Sequence, residues 1–142
     1  MTAVEALQAC LQAEHATVYG YGVVGGRLAA VGGRRWQALA ASAYAEHRTL
    51  RDGLIEVIDG ALDAAPVAAE ASYTLPFAVR TFADCRRLAR LLEARCSTVY
   101  ANAVAETVDD TRALVAAGLR DTAVRSLRWG APVEAFPGIT PR

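Results

Sequence analysis

Residues 61–80 read ALDAAPVAAEASYTLPFAVR, and this stretch decides the topology of the chain. Pro66 and Pro76 interrupt any helix here, and no apolar period of three to four residues runs through the segment. Irregular connections of this length are uncommon inside a compact domain. A four-helix bundle with parallel second and third helices requires one, because the chain must return along the whole bundle. We therefore predict a long crossover.

Helical patterns precede this crossover. Thr2 and Glu5 have capping-box spacing, and the apolar stripe that follows predicts a first helix of about 25 residues. The pair Gly32-Gly33 ends that helix, and a second stripe runs from Trp36 to Ala61. Because the turn between them is very short, the first two helices are expected to pack antiparallel.

Two further helices follow the crossover. Thr81, with Asp84 three residues on, marks the start of a third helix that is expected to end near residue 106. A fourth helix begins at Asp109-Asp110 and stops before Gly130. The proline-containing tail over 131–142 is expected to lie on the bundle as irregular chain. The sequence thus predicts a single all-α domain over residues 1–142.

The composition and net charge of the chain argue against some classes of function. The chain has 142 residues, with 31 alanines, 15 arginines and no lysine, and its formal net charge is zero. A balanced charge argues against a dedicated nucleic-acid binder, whose footprint is a basic patch. No stretch reaches the roughly 20 apolar residues that span a bilayer, and the N-terminus lacks the basic start of a signal peptide. We expect a cytoplasmic protein without membrane contact.

Three cysteines are too few and too scattered for a metal knuckle. Cys10, Cys85 and Cys96 lie far apart in the chain and form no Cys-x-x-Cys pair. We expect three reduced thiols, most of them buried.

The triplet Ala-Glu-His occurs twice, at residues 13–15 and 45–47, and it contains both histidines of the chain. Each triplet lies near the middle of its predicted helix, so the two meet at the same height in an antiparallel pair. At about 100° per residue, Glu14 and His47 are central in their stripes, whereas Glu46 flanks its stripe and His15 lies to the side. We predict that Glu14 and His47 face each other in the interior.

A buried carboxylate needs a partner, because an isolated buried charge is costly. His47 is the obvious partner of Glu14, with Tyr21 or Tyr44 as additional hydrogen-bond donors. Three interpretations remain open from the residues alone: a satisfied buried polar pair, a metal site, and a catalytic acid/base pair without metal.

Local sequence patterns resemble a known family. AEHATVYGYGVVGGRL (13–28), AEHRTLRD (45–52), YTLPF (73–77) and RWGAPVEAFPG (128–138) are similar to an alanine-rich, actinobacterial ferritin-like domain family of uncharacterised function. The resemblance covers nearly the whole chain. It implies the ferritin-like superfamily, in which a long crossover joins the second and third of four helices.

Di-iron members of that superfamily use one glutamate from each of two helices and a Glu-x-x-His motif from each of the other two. The resemblance carries over only Glu14, Glu46 and His47, and Glu46 only if its side chain rotates inward. Tyr44 stands where the second helix would need a glutamate three residues before His47.

The third and fourth helices lack obvious ligands. Glu93 is expected to point away from its apolar stripe, with Cys96 at the level of the site. Asp121 is at the right height but is expected to share the polar side of its helix with Arg125 and Arg128. The resemblance therefore implies a degenerate metal site.

The tyrosines and the off-stripe apolar residues suggest packing and assembly. Tyr19, Tyr21, Tyr44 and Tyr100 are interpreted as amphipathic fillers with hydroxyls at a polar rim. Side chains off the main stripes could form a homodimer surface; these are Val23, Leu39 and Ile55.

Our leading prediction is a structural or binding module, with Glu14 and His47 as a buried polar pair and without ferroxidase activity. The alternative is a metal-dependent oxidoreductase or hydrolase, with a mononuclear or reduced di-metal site at Glu14, Glu46 and His47. Fe, Mn or Zn would suit that ligand set.

Overall fold

The computed structural model describes residues 1–140 and contains four long helices. They are α1 (Ala3–Val31), α2 (Arg34–Glu56), α3 (Phe82–Glu106) and α4 (Asp109–Arg128). A single π-helical turn over Val57–Ala61 continues α2 to the residue where the second stripe was predicted to end. The described chain contains no strand, so the prediction of an all-α four-helix protein is confirmed. Pro141 and Arg142 of the predicted tail lie outside the described residues.

Both predicted capping boxes are present. The Thr2 hydroxyl accepts the N–H of Glu5, and the Glu5 carboxylate accepts the N–H of Thr2. Thr81 and Asp84 make the same reciprocal pair at the start of α3. These local signals fix the start of α1 and α3, because each satisfies backbone donors that have no partner within the helix.

The crossover runs along the whole length of α1. Near the start of α1, the Gln8 amide donates to the carbonyl of Ala65 and accepts the N–H of Val67. Near its end, the Arg27 guanidinium donates to the carbonyl of Val79 at 3.1 Å. The twenty residues 62–81, between the π-helical turn and α3, therefore carry the chain back, as the two prolines predicted.

The helices form a four-membered bundle in which α1 packs against both α2 and α3, and α3 packs against α4. Two apolar clusters fill its interior. One lies beside the α1–α2 turn and includes Leu28, Leu88 and Trp129, and the other lies at the opposite end and includes Leu7 and Leu54. A layer of buried polar side chains separates the two clusters.

No helix within residues 1–140 combines the length and apolar character that crossing a membrane would require. The cysteines Cys10, Cys85 and Cys96 are free and buried, as predicted. Burial and the nearby Glu14 charge raise the pKa of Cys10 to about 12, so this thiol stays protonated.

Two glycines are required by close helix contacts. A Cβ at Gly118 in α4 would lie 2.6 Å from the ring of Tyr100, and one at Gly20 in α1 would lie 2.6 Å from Leu92. By contrast, a Cβ at Gly22, Gly25 or Gly26 would meet nothing within 4 Å. In α1, close packing therefore explains Gly20 but not the three glycines that follow it.

We predict opposite effects for two glycine-to-alanine substitutions. Gly118→Ala should lower the free energy of unfolding by about 1–3 kcal/mol, because the Tyr100 ring is buried and cannot move aside. Gly22→Ala should raise it by up to about 1 kcal/mol, because alanine favours a helix interior. Denaturant titration measures both values, and equal stability of the two variants would contradict this packing.

Candidate functional site

The buried polar layer is centred on two carboxylates and two cationic side chains. Each helix contributes one of them, and none is more than 2% exposed: Glu14 from α1, His47 from α2, Glu93 from α3 and Arg125 from α4. The formal charges of this group, which we call the central quartet, cancel.

His47 contacts a carboxylate on each side of its ring. Its Nδ1 lies 2.6 Å from Oε2 of Glu14, and its Nε2 lies 3.2 Å from Oε1 of Glu93. An ionised carboxylate only accepts hydrogen bonds, so between two of them each ring nitrogen is placed to donate. The geometry therefore fits an imidazolium.

The pKa of His47 agrees with this geometry. Burial alone would lower it, but the hydrogen bonds and charges of Glu14 and Glu93 outweigh burial and raise the pKa to about 9. The imidazolium is the form that the fold selects at neutral pH.

Arg125 supplies the second cation. Its Nε donates to Oε1 of Glu93 at 3.1 Å, and its Nη1 donates to Oε2 of Glu46 at 2.5 Å. The Glu46 contact joins α2 to α4. The Nη2 atom of Arg125 is buried and has no hydrogen-bond partner within the described chain.

Two tyrosines donate hydrogen bonds to the two buried glutamates, each to the glutamate on the other helix. The Tyr100 hydroxyl of α3 donates to Glu14 of α1 at 2.6 Å, and the Tyr21 hydroxyl of α1 donates to Glu93 of α3 at 2.5 Å. Burial and the neighbouring carboxylate raise the pKa of both tyrosines well above the usual value. Both hydroxyls therefore remain donors.

Cys96 also faces this layer. Its thiol lies within hydrogen-bond distance of the Thr17 hydroxyl, at 3.2 Å. One ligand atom from each of Glu14, His47 and Cys96 falls within 4.8 Å of the others. Burial, followed by the Glu14 charge, raises the pKa of Cys96 well above its usual value, which disfavours the thiolate that binds metals.

The structure brings together three of the residues named from sequence and leaves two outside. Glu14, His47 and Tyr21 all lie in the buried layer, where the Tyr21 ring stacks on His47 with centroids 5.4 Å apart. Tyr44 does not join them, because it is only partly buried and its ring faces Arg48.

Glu46 also stays outside the Glu14–His47 pair. Its side chain is 44% exposed, and its two oxygens are engaged by Ser42 and Arg125. Partial burial acts in the opposite direction, but the hydrogen bonds from Ser42 and Arg125 lower the pKa of Glu46. Its partner on α4 holds the carboxylate away from the position that a shared metal site would need.

Three expectations for α3 and α4 were wrong. Glu93 and Arg125 are buried at the centre instead of facing solvent, and the Tyr100 hydroxyl reaches Glu14 instead of a polar rim. The physical reason is that α3 packs against both α1 and α4, so its buried face is wider than one apolar stripe.

A spacing in the sequence could have identified two of these residues, Glu93 and Tyr100. Glu14 and Tyr21 are seven residues apart in α1, and Glu93 and Tyr100 are seven apart in α3. Because α1 and α3 run antiparallel, equal spacing lets each glutamate meet the tyrosine of the other helix.

His15 serves a different purpose from His47. Its Nε2 donates to the carbonyl of Val67 in the crossover at 2.9 Å. This histidine therefore fastens the crossover to α1 and takes no part in the central quartet.

Comparison with known proteins places the chain among relatives of undefined function. Residues 6–141 match the family described as a domain of unknown function (DUF4439). A conserved hypothetical protein from Mycobacterium tuberculosis, solved by crystallography, is 34% identical with a TM-score of 0.80. That match covers 94% of this chain and 95% of the other. A search of curated proteins finds no match.

The raised pKa of His47 predicts how stability depends on pH. Folding favours the protonated ring, so its contribution is complete below the unfolded pKa of 6.5 and is lost as pH rises through about 9. The free energy of unfolding should fall over that window by on the order of 3 kcal/mol, at about 1.4 kcal/mol per pKa unit.

Urea titrations across this pH window measure the decline. His47→Gln should remove most of it and leave the smaller decline that the raised pKa of the buried thiols produces at the alkaline end of the window. His15→Gln should retain the full decline, because the His15 ring bonds to the crossover and not to the quartet. Stability of the unmodified chain that is flat or rises between pH 6.5 and 9 would show that His47 is not held as an imidazolium.

Proposed function

We propose that this chain, which belongs to the DUF4439 family, functions as a metal-independent, ferritin-like structural and binding module. The observation that carries the proposal is the central quartet. The carboxylates that a metal pair would need, Glu14 and Glu93, are already neutralised by His47 and Arg125.

The ligand positions of a di-iron bundle support this interpretation. Such bundles use a glutamate from each of two helices and a Glu-x-x-His motif from each of the other two. Glu14 and Glu93 occupy the glutamate positions of α1 and α3. Tyr44-x-x-His47 on α2 and Thr122-x-x-Arg125 on α4 occupy the motif positions, so three of the expected side chains are missing.

The donor set does not fit a di-metal centre. Arg125 is a permanent cation that cannot act as a ligand, and its guanidinium lies against Glu93. An imidazolium at His47 likewise has no free lone pair for a metal. The buried charges are balanced by the chain itself, which removes the electrostatic demand for added cations.

A mononuclear metal enzyme is the second candidate. The favouring observation is the approach of Glu14, His47 and Cys96 to within 4.8 Å, which gives an N/O/S ligand set suited to Zn. In this candidate Cys96 takes the position that the sequence assigned to Glu46. Metal binding would have to displace protons from both His47 and the thiol.

Metal content separates the two candidates. The chain is purified with added Fe(II), Mn(II) or Zn(II) and analysed for elements beside His47→Ala and Cys96→Ser. We expect substoichiometric metal in all three proteins and no change in melting temperature when metal is added. Stoichiometric metal in the unmodified chain that disappears in both variants would overturn the metal-independent proposal.

A gain-of-function variant strengthens this test. Thr122→Glu combined with Arg125→His restores a Glu-x-x-His motif on α4 and removes the internal guanidinium. This variant should take up more metal than the unmodified chain, with circular dichroism confirming that it folds. Equal uptake by both proteins would show that Arg125 does not exclude metal.

The buried pair itself is tested by Glu14→Gln. The substitution keeps the shape of the side chain but removes the charge that faces His47, so it should lower the free energy of unfolding by about 1–3 kcal/mol. Chelators and added metals should leave that loss unchanged. A loss that appears only when metal is present would support the metal enzyme instead.

A further inference from the structure

The zero net charge of the chain conceals a strong separation of charge along the bundle. Six exposed arginines lie near the end where α1 and α4 finish and α2 and α3 begin. We call this the arginine end; its residues are Arg27, Arg34, Arg35, Arg80, Arg87 and Arg128. Contacts of Trp36 with Phe82 and Trp129 bring these helix ends together, with ring centroids 5.2 and 5.6 Å apart.

The arginine end has few acidic neighbours: Arg87 lies near Asp84, and Arg128 lies near Glu46. None of its six guanidinium groups forms an ion pair with a carboxylate of residues 1–140. Asp84 lies at this end, but its carboxylate accepts the N–H groups of Arg80 and Thr81. Arg87 stacks on Phe77 with its guanidinium 4.1 Å from the ring centroid, which restricts its motion.

The opposite end carries the complementary charge. Six exposed carboxylates lie where α2 and α3 finish and α4 begins, and none forms an ion pair within the part of the chain that the structure describes. We call this the carboxylate end; its residues are Glu56, Asp59, Asp63, Glu106, Asp109 and Asp110. Exposed Glu5 and Arg112 also lie at this end, so it remains strongly negative and opposite in sign to the arginine end.

Helix stability explains Asp109 and Asp110 at the start of α4 and Arg128 at its end, but it does not explain the charges of α2. In α2, Arg34 and Arg35 occupy the first turn, while Glu56 is the last residue and Asp59 follows in the π-helical turn. A helix favours acidic residues at its N-terminus and basic residues at its C-terminus, so these charges oppose the dipole of α2. Charges that destabilise the helix carrying them, at both of its ends, point to a role outside that helix.

We propose that copies of this chain associate head to tail, with the arginine end of one copy bound to the carboxylate end of the next. A second copy is the occupant that the molecule itself supplies, because it presents six carboxylates to six unpaired arginines. The contact joins two different surfaces and does not close on itself, so chains or rings form instead of a symmetric dimer.

Our proposal uses a different surface from the homodimer face predicted from the sequence. Val23, Leu39 and Ile55 are only partly exposed, because they pack against the two apolar clusters of their own chain. The association does not depend on the central quartet, so it is tested separately from the proposed function.

Sedimentation velocity of the full chain measures the association. At about 10 mM salt the Debye length is about 30 Å, and at about 1 M it is about 3 Å. With rising protein concentration in low salt, the weight-average mass should at least double from the 15.0 kDa of the monomer. High salt should restore the monomer, and a monomer under every condition would overturn the proposal.

Two charge-reversal variants locate the contact. Arg34→Glu/Arg35→Glu removes charge from the arginine end, and Glu56→Arg/Asp59→Arg removes it from the carboxylate end. Both changes place charge in favour of the α2 dipole, so loss of association cannot be ascribed to a weakened helix. Each variant alone should stay monomeric, whereas their mixture should form a dimer with one copy of each.

A matched control and a competing partner complete the design. Arg48→Glu/Arg95→Glu makes the same change in net charge at exposed positions midway along α2 and α3, and it should still associate. Association that persists in Arg34→Glu/Arg35→Glu would overturn the proposal. Binding of heparin or duplex DNA by the arginine end, without any self-association, would also overturn the proposal.

Discussion

Glu14 and Glu93 are fully buried carboxylates, and the interior of the bundle is organised around neutralising them. His47 and Arg125 approach from α2 and α4, while Tyr21 and Tyr100 donate from the helices that carry the carboxylates. Removing one charge from such a group is destabilising, because the opposite charge is left buried without compensation. Each helix must therefore keep its height and rotation relative to the other three. The quartet specifies the bundle in a way that apolar clusters alone do not.

The same interaction underlies our proposal that the site works without a metal. A carboxylate pair between four helices attracts positive charge, and metal ions are one source of it. Here the positive charge comes from a guanidinium and an imidazolium that are part of the chain. The bundle is therefore balanced electrically as soon as it folds. In our proposal the bundle functions through its surfaces. The two charged ends are the clearest candidates, because their exposed charges form no ion pairs within the described residues.

Much of the fold could be predicted from local signals. The capping pairs at Thr2 and Thr81 and the prolines of the crossover act through nearby backbone atoms, so sequence spacing is sufficient to find them. The pairing of Glu14 and His47 could also be predicted from the sequence, because each residue interrupts an otherwise apolar stripe and the two lie at the same height in the bundle. These predictions needed no knowledge of how α3 and α4 pack.

Glu93 and Arg125 could not be found in the same way. A charged residue beside an apolar stripe is normally assigned to solvent, and only a buried partner of opposite sign reverses that assignment. The two pair with each other from different helices, Glu93 also contacts His47, and Arg125 also contacts Glu46. A helix-by-helix analysis therefore misses both. Glu46 shows the reverse error: its carboxylate turns toward Arg125, a contact that depends on the position of α4. Pairwise contacts between helices, not propensities within them, decide which charges enter the interior.

The protonation state of His47 tests the central claim most directly. Nitrogen-15 NMR of the histidine rings, recorded at pH 7.5–8 on metal-free protein, reports whether each ring nitrogen carries a proton. The account predicts that both nitrogens of His47 are protonated, with the proton on Nδ1 directed at Glu14 and that on Nε2 at Glu93. A neutral ring with one unprotonated nitrogen under those conditions would contradict it, because the quartet would then lack one of its two cations.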